Sequence, residues 1–367
     1  MTLIIVNLNE TTMAFNPFRM FFPKKMLGID IGTSSIKVVE ISRWGGGRTL
    51  ENYGEIKSGS LLKEPFRTYK RGNYLLSSYF ASRAIKAILE EAKIKTRAAM
   101  FSIPDFSTFF VSFDLPPMTE KEIPDAIRFN APQYIPLPVS ETTLDWRLIS
   151  GTPGDNRSNL KVLVVAVANQ IVQEYQRVAQ MAGLELYALE AEALAIVRSL
   201  IKNNRKTICL VDIGAQSTTV NIIDKGILKK SFSFDFSGNQ LTYGVASALD
   251  KGYGEAEEIK CKEGLLSKEK NIKETLYFSI DPLLAQIKNI INELSQTEGK
   301  EIERVDLTGG TANLPGLKEY FEEVLKKEIG IPNCFSDFLY PPILTETLEE
   351  MGPRYSVAVG VAMGGLE

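Results

Sequence analysis

The chain has 367 residues, with 45 acidic against 42 basic side chains and no histidine. That length holds two domains, and the near balance of charge leaves no electrostatic footprint for nucleic acid. Without imidazole there is no Ser-His or Cys-His nucleophile pair and no histidine metal site, so any catalysis falls to carboxylates, amides, hydroxyls, lysine or Mg²⁺.

Residues 1–26 carry Phe15, Phe18, Arg19, Phe21, Phe22, Lys24 and Lys25 without helical or alternating period. They read as an N-terminal extension, expected to be a disordered tail or an upstream start with translation from Met20, rather than a membrane-surface contact. Strands are expected at 27–41 and 48–57, joined through Gly45, Gly46 and Gly47. The polar stretch with Lys63, Arg67, Lys70, Arg71 and Tyr74 is expected to be an exposed loop over a cleft. Leu75, Tyr79, Ala84, Ile88 and Ala92 predict a helix over 74–93, and 97–103 a short strand ending at Pro104.

From Pro104 to about Gly183 the pattern changes to a βαββα unit, with strands at 109–115, 142–150 and 160–168. Thr119 is expected to cap a helix with Glu122 at the capping-box position, Pro132 should end or kink that helix, and helix 170–182 stops at Gly183. This is read as an insertion, 104–183, into a first lobe made of 27–103, 184–206 and 343–367. The second lobe is expected at 207–342, with a helical subdomain over about 238–303 and helices at 239–251, 254–263 and 279–297. Leu283, Leu284, Ile287, Ile291 and Leu294 give the last of these a core face. Cys209, Cys261 and Cys334 lack metal or disulfide spacing and fit a reducing cytosol, and no apolar run is long enough to cross a bilayer.

The most informative feature is a duplication. Residues 27–41 and 209–223 both run as an apolar strand into Asp-Ile-Gly, turn through small residues, and return as a second apolar strand. Gly32 and Gly214 supply the turns. Backbone N–H groups in such a turn form a donor array for phosphate oxygens, and Asp30 or Asp212 at the strand end can hold a hydrated Mg²⁺ through water. Nucleotide binding follows from the pair more than from either copy. In the run Val305–Leu317, Gly309 and Gly310 let backbone approach an adenine ring or α-phosphate. Near the end, Ser356–Gly364 places small residues at close spacing, which suits either a hinge crossing between two halves or plain tight packing.

This order of elements, with Leu307-Thr308-Gly309-Gly310-Thr311-Ala312 and the closing Ala358-Val359-Gly360-Val361-Ala362, resembles the actin and sugar-kinase ATPase superfamily. Met20–Glu40 is similar to the start of the bacterial PilM family of type IV pilus assembly proteins, which groups with FtsA. The resemblance covers Met20 to Gly364 and implies an α/β, actin-like ATPase (duplicated ribonuclease H-like) fold with an inserted βαββα domain. It implies ATP and Mg²⁺ as cofactors, with Asp30 and Asp212 at Mg²⁺ waters. Gly32, Thr33, Ser34, Ser35 and Lys37, then Gly214, Ala215, Gln216 and Ser217, would surround the phosphates. Gly309, Gly310 and Thr311 would meet the adenosine. Glu257 and Lys260 resemble the family's nucleoside contact, the alternative being an i,i+3 surface ion pair. Glu190 is the candidate for positioning an attacking water, although Ala191 stands where the family usually has Pro, so firm ATP binding with slow or partner-dependent hydrolysis is expected.

The leading reading is an interaction protein of the pilus inner-membrane complex. It would lie on the cytoplasmic face of the inner membrane, held there through partners, and bind the N-terminal tail of PilN in a nucleotide-dependent way; its oligomer state stays open. An FtsA-like cell-division scaffold is the second reading, but that family usually closes with a basic amphipathic helix, and here Gly365-Leu366-Glu367 follows the closing motif. A small-molecule kinase of the same fold is the third. Its base would have to be Asp105 or Asp114, each more simply read as a turn or solvated aspartate.

Overall fold

The computed structural model of the chain describes residues 6–7, 24–60, 65–70, 73–155, 157–201 and 206–367. Phe15, Phe18, Arg19, Phe21, Phe22, Lys63 and Arg71 lie outside them. Two compact units divide the chain, the first holding the described residues up to Ser199, Phe335–Pro342 and Val357–Glu367, the second Leu200–Cys334 and Ile343–Ser356.

In the first unit the elements in order are Val6–Asn7 (β1), Lys24–Ile31 (β2), Ser35–Trp44 (β3), Gly47–Lys57 (β4), Arg67–Lys70 (β5), Asn73–Leu76 (β6) and Ser78–Glu91 (α1). There follow Ala98–Ile103 (β7), Thr108–Leu115 (β8), Ile123–Asn130 (α2), Thr142–Ser150 (β9), Leu160–Ala168 (β10), Asn169–Ala182 (α3), Glu185–Ala191 (β11) and Glu192–Leu200 (α4). Met26–Ile31 is buried throughout, as a continuous apolar run in a central strand requires. A seven-stranded sheet runs β1-β11-β7-β2-β3-β4 and closes on Phe338–Leu339. Within it β2, β7 and β11 are parallel neighbours, while β2, β3 and β4 form an antiparallel meander.

The expected helix over 74–93 starts only at Ser78, because Asn73–Leu76 pairs antiparallel with β5. Leu75 and Tyr79 are accordingly exposed, and the buried stripe of α1 is Ala81, Ala84, Ile85, Ile88 and Leu89. The same ribbon corrects the expected exposed loop, since Arg67 is buried. Of the N-terminal extension, Val6 and Asn7 pair with Leu189 and Ala188, and Lys24–Met26 already belong to β2.

The strands expected at 109–115, 142–150 and 160–168 form a three-stranded sheet in the order β8-β10-β9 with α2 over its own apolar core of Ile123, Ile127, Val162 and Val164, whereas α3 packs on α1 and, through Tyr175, on Phe101 of β7. Glu122 Oε2 accepts from the backbone N–H of Thr119 at 2.8 Å and from its hydroxyl at 2.7 Å, which holds the Glu122 carboxyl below its ordinary range. Pro132 ends α2 as expected, with a 3₁₀ turn at Ala131–Gln133. Gly183 caps α3 in the left-handed conformation, φ 72°.

The second unit contains Thr207–Ile213 (β12), Thr218–Asp224 (β13), Ile227–Phe234 (β14), Gly238–Leu249 (α5), Tyr253–Glu263 (α6), Lys270–Glu298 (α7), Arg304–Thr308 (β15), Leu317–Leu325 (α8) and Glu328–Gly330 (β16). Its sheet has the order β14-β13-β12-β15-β16. The helix expected from 279 begins at Lys270, since Ile272, Leu276 and Ile280 extend the buried stripe toward the N-terminus.

The last helix, Thr345–Gly364 (α9), is shared, its residues to Ser356 counting with the second unit and those from Val357 with the first. The expected lobe boundaries therefore shift. Phe338 and Leu339 pair with Arg48 and Thr49 of β4, which draws Phe335–Pro342 into the first unit. The Thr308 hydroxyl donates to Pro353 O at 2.8 Å, which ties the start of α9 to the second. Within the first unit the small residues of α9 serve close packing. A Cβ at Gly360 would collide with Ala195 O, and one at Gly28 with Ala358 O.

Candidate functional site

The duplicated hairpins have the same turn. In the first, the Gly32 N–H donates to Ser35 O at 2.9 Å; in the second, the Gly214 N–H donates to Ser217 O at 3.0 Å. A Cβ would lie 2.8 Å from Ser35 O at Gly32 and 2.9 Å from Ser217 O at Gly214, so each turn closes too tightly for a side chain. Ser34 is exposed at the tip of the first turn, between buried Thr33 and Ser35, while Gly214, Ala215, Gln216 and Ser217 are all half-buried.

The carboxylates beneath the turns differ. Asp30 is buried and pairs across the ladder with Lys37, whose Nζ lies 3.7 Å from Asp30 Oδ2. The Ser102 hydroxyl donates to Asp30 Oδ1 at 3.0 Å. Lys37 is thus engaged with Asp30, next to the turn. Asp212 is half-buried and faces Thr219 in the corresponding ladder position.

The second unit gathers most of its expected residues around one turn. The Gly238 N–H donates to Gly214 O at 2.9 Å and that of Asn239 to Ala215 O at 3.1 Å, which brings the start of α5 to the turn. Ser237 caps this helix by accepting from the Gln240 N–H. A Cβ at Gly238 would fall 2.6 Å from the Thr311 hydroxyl and 3.8 Å from Lys260 Nζ. Lys260 is buried and donates to Gly238 O at 3.1 Å and to the Thr242 hydroxyl at 2.8 Å; its ion pair with Glu257 is 2.7 Å long. Burial pushes Glu257 up, but Lys260 and the Thr242 hydroxyl outweigh it and hold the carboxyl below its ordinary range. The alternative of a plain surface pair is corrected, because the lysine is buried and serves three acceptors.

Gly309 has φ +89°, and a Cβ there would fall on Asp212 Oδ1 and Ile213 O. Gly310 is exposed, and a Cβ would meet no protein atom within 4 Å. Thr311 returns to the cluster, its N–H donating to Ile213 O at 3.3 Å. Asp212, the Gly214 turn, Gly238, Lys260 and Gly309–Thr311 therefore form one site with a bare backbone at its rim.

Glu190 is corrected. It lies on strand β11 rather than a helix, is fully buried, and binds Arg198 through both oxygens, at 2.5 Å and 2.7 Å. Burial pushes its carboxyl above the ordinary range, against the pull of the Arg198 guanidinium. The carboxylate near the first turn is Glu192, the first residue of α4. Its Oε1 accepts from Arg67 Nη2 at 2.6 Å and its Oε2 from the Asp105 N–H at 3.4 Å. Burial raises the Glu192 pKa against the pull of Arg67, and the Asp30 charge pushes in the same direction. Asp105 is itself a helix partner, accepting from the Ala193 N–H at 3.0 Å, and Asp114 is an exposed strand residue.

The family model for type IV pilus assembly protein PilM matches residues 28–366. The chain belongs to the PilM family. A cell division protein FtsA of Pseudomonas aeruginosa is 26% identical over 390 aligned positions, covering 94% of this chain and 90% of that protein. The solved PilM-PilN type IV pilus biogenesis complex aligns with a TM-score of 0.80 at 23% identity, covering 93% of this chain and 98% of that one. MreB5 of Spiroplasma citri bound to AMPPNP aligns at 0.52 with 13% identity, covering 93% and 95%. The PilM-family chain thus has the actin-like ATPase fold. Among the described residues no helix is long and apolar enough to cross a membrane.

Sequence reasoning missed Gly238, Thr242 and Glu192. The first two had a signal, Ser237-Gly-Asn-Gln240, a capping-box spacing directly after a strand. For the third, Leu189-Glu190-Ala191-Glu192 offers two acidic residues two apart, and strand alternation sends both to one face. Only the start of α4 at Glu192 separates their surroundings.

Proposed function

We propose that this PilM-family chain binds ATP with Mg²⁺ and uses nucleotide state to set its contacts in type IV pilus assembly. The observation that carries the reading is the clustering of Asp212, the Gly214 turn, Gly238, Lys260 and Gly309–Thr311, where Gly310 leaves backbone open to a ligand. The Gly32–Ser35 turn repeats the phosphate-type geometry of Gly214–Ser217. Ala215, Gln216 and Ser217, like Thr33, Ser34 and Ser35, would offer turn N–H groups to phosphate oxygens. Glu257 and Lys260 would meet the nucleoside and Gly310 the base.

Mg²⁺ would supply charge neutralisation on the phosphates, with Asp30 and Asp212 accepting from its water shell. Glu192 replaces Glu190 as the residue that orients water for hydrolysis, and its engagement with Arg67 fits slow turnover. The partner is the N-terminal tail of a PilN-type protein, taken in a groove formed with the inserted unit, where Phe129 stands 80% exposed and Tyr134 50% exposed. Membrane association would then come through partners.

A titration with a fluorescent ADP analogue and Mg²⁺, followed by pull-down of a synthetic PilN tail with ATP or ADP, tests both halves. Saturable nucleotide binding and a nucleotide-dependent difference in tail capture are expected. No nucleotide binding removes the reading; no tail capture in either state removes the partner.

A further inference from the structure

Among the described residues the ribbon formed by β5 and β6 pairs with no larger sheet, yet its first residue reaches the interior of the first unit. The chain leading to it is pegged at two points to the Gly32–Ser35 turn. The Ser58 N–H donates to Ser34 O at 2.8 Å and the Phe66 N–H to Thr33 O at 3.3 Å. Phe66 is fully buried, and its own carbonyl accepts from the Ser77 N–H at 2.9 Å, so it cannot shift without moving the turn or the base of α1.

The next residue is Arg67. Its guanidinium is buried, ion-paired with Glu192 at 2.6 Å, and stands over the Phe106 ring with Cζ 5.5 Å from the centroid. Phe106 lies in the 3₁₀ turn Asp105–Ser107 that enters the insertion at β8. That turn is itself locked to α4 in both directions. The Asp105 N–H donates to Glu192, and Asp105 Oδ1 accepts from the Ala193 N–H. One side chain therefore touches the start of α4 and the entry to the inserted unit, and its backbone neighbour holds the turn.

We propose that Arg67 is the positioning residue that carries a displacement of the Gly32–Ser35 turn to the Asp105–Ser107 entry of the inserted unit. This rests on nucleotide binding at the turn, as proposed above. A packed, hydrogen-bonded chain of this kind moves as a piece, because neither the buried ion pair nor the backbone bonds stretch at small cost. Lys37 does not take this role, because its ammonium faces Asp30.

The test measures amide hydrogen exchange of residues 105–108 in the full chain, alone and with Mg-AMPPNP, for the parent and for variants. Arg67→Met removes the guanidinium but leaves Glu192 buried without its partner, so it is also made together with Glu192→Gln to protect folding. The parent and Arg67→Lys are expected to change exchange at 105–108 when AMPPNP binds. Arg67→Met and the double variant are expected to bind AMPPNP and to lose that change. A nucleotide response at 105–108 that survives in the double variant overturns the inference while leaving nucleotide binding intact. Absence of AMPPNP binding to the parent overturns the nucleotide reading and this coupling with it.

Discussion

Replacing Glu190 with alanine separates a structural carboxylate from a chemical one. The Glu190 side chain is 0% exposed and that of Arg198 12%. Both guanidinium Nη atoms are committed to it, and Nη1 also donates to Gly360 O at 3.2 Å. Removing one partner of a buried ion pair costs about 3–5 kcal/mol, and Arg198 would keep only the more exposed Glu367, 3.4 Å from its Nε. For a unit of this size each kcal/mol moves the midpoint by about 2–4 °C, so a fall of roughly 6–20 °C is expected. Differential scanning calorimetry reads it. Arg198→Met alone should cost a similar amount, and the double variant less than the sum, because neither charge is then left without its partner. A Glu190→Ala protein that melts within about 1 kcal/mol of the parent, as an exposed pair would allow, refutes the enclosed-pair argument. If that protein also stopped hydrolysing ATP, Glu190 would be reinstated as the water-positioning group.

Glu192→Gln keeps the shape and the hydrogen bonds available to Arg67 but removes the charge; phosphate release should fall by about 10²–10⁴-fold with nucleotide affinity retained, and an unchanged rate would exclude Glu192. Gly310→Val meets no protein atom, so its unfolding midpoint should stay within about ±0.5 kcal/mol of the parent, while the Kd for a fluorescent ADP analogue rises. An unaffected Kd would place the ligand elsewhere. Gly309→Ala provides the contrast, since its positive φ and the clash with Asp212 make it a folding defect by about 1–3 kcal/mol, measurable by urea titration.

Periodicity and turn chemistry carried much of this molecule. The two Asp-Ile-Gly hairpins, the three strands between Pro104 and Gly183 and the Pro132 stop were legible because each is a local pattern with a local physical cause. The segment 58–76 was not. Its basic, polar character fits an exposed loop, and only tertiary contact reveals that Arg67 is turned inward to meet Glu192, 125 residues away in sequence. Glu190 and Glu192 illustrate the same limit. Two carboxylates on one side of a strand look equivalent until Arg198 claims one and Arg67 the other. The lobe boundaries were missed for a related reason, since a two-residue strand at Phe338–Leu339 has no sequence signal beyond its pairing with β4.

The two hairpins share a turn but differ in charge, and the difference is testable. Asp30 is 6% exposed and neutralised by Lys37, whereas the ladder position opposite Asp212 is a threonine. A carboxylate already paired with a cation adds little net attraction for Mg²⁺, so Asp30 should carry little of the electrostatic pull. Asp212→Asn is expected to weaken Mg²⁺-dependent nucleotide binding by about tenfold, equal to ~1.4 kcal/mol, with a small change in stability. Asp30→Asn strands the buried Lys37 ammonium, so its main effect should be on folding, by about 1–3 kcal/mol. Adding Lys37→Met to Asp30→Asn removes the stranded charge and should recover most of that loss. Calorimetry of the three proteins decides the matter: a double variant no more stable than Asp30→Asn would mean that Lys37 does not depend on Asp30, and the asymmetry between the hairpins would lose its physical basis.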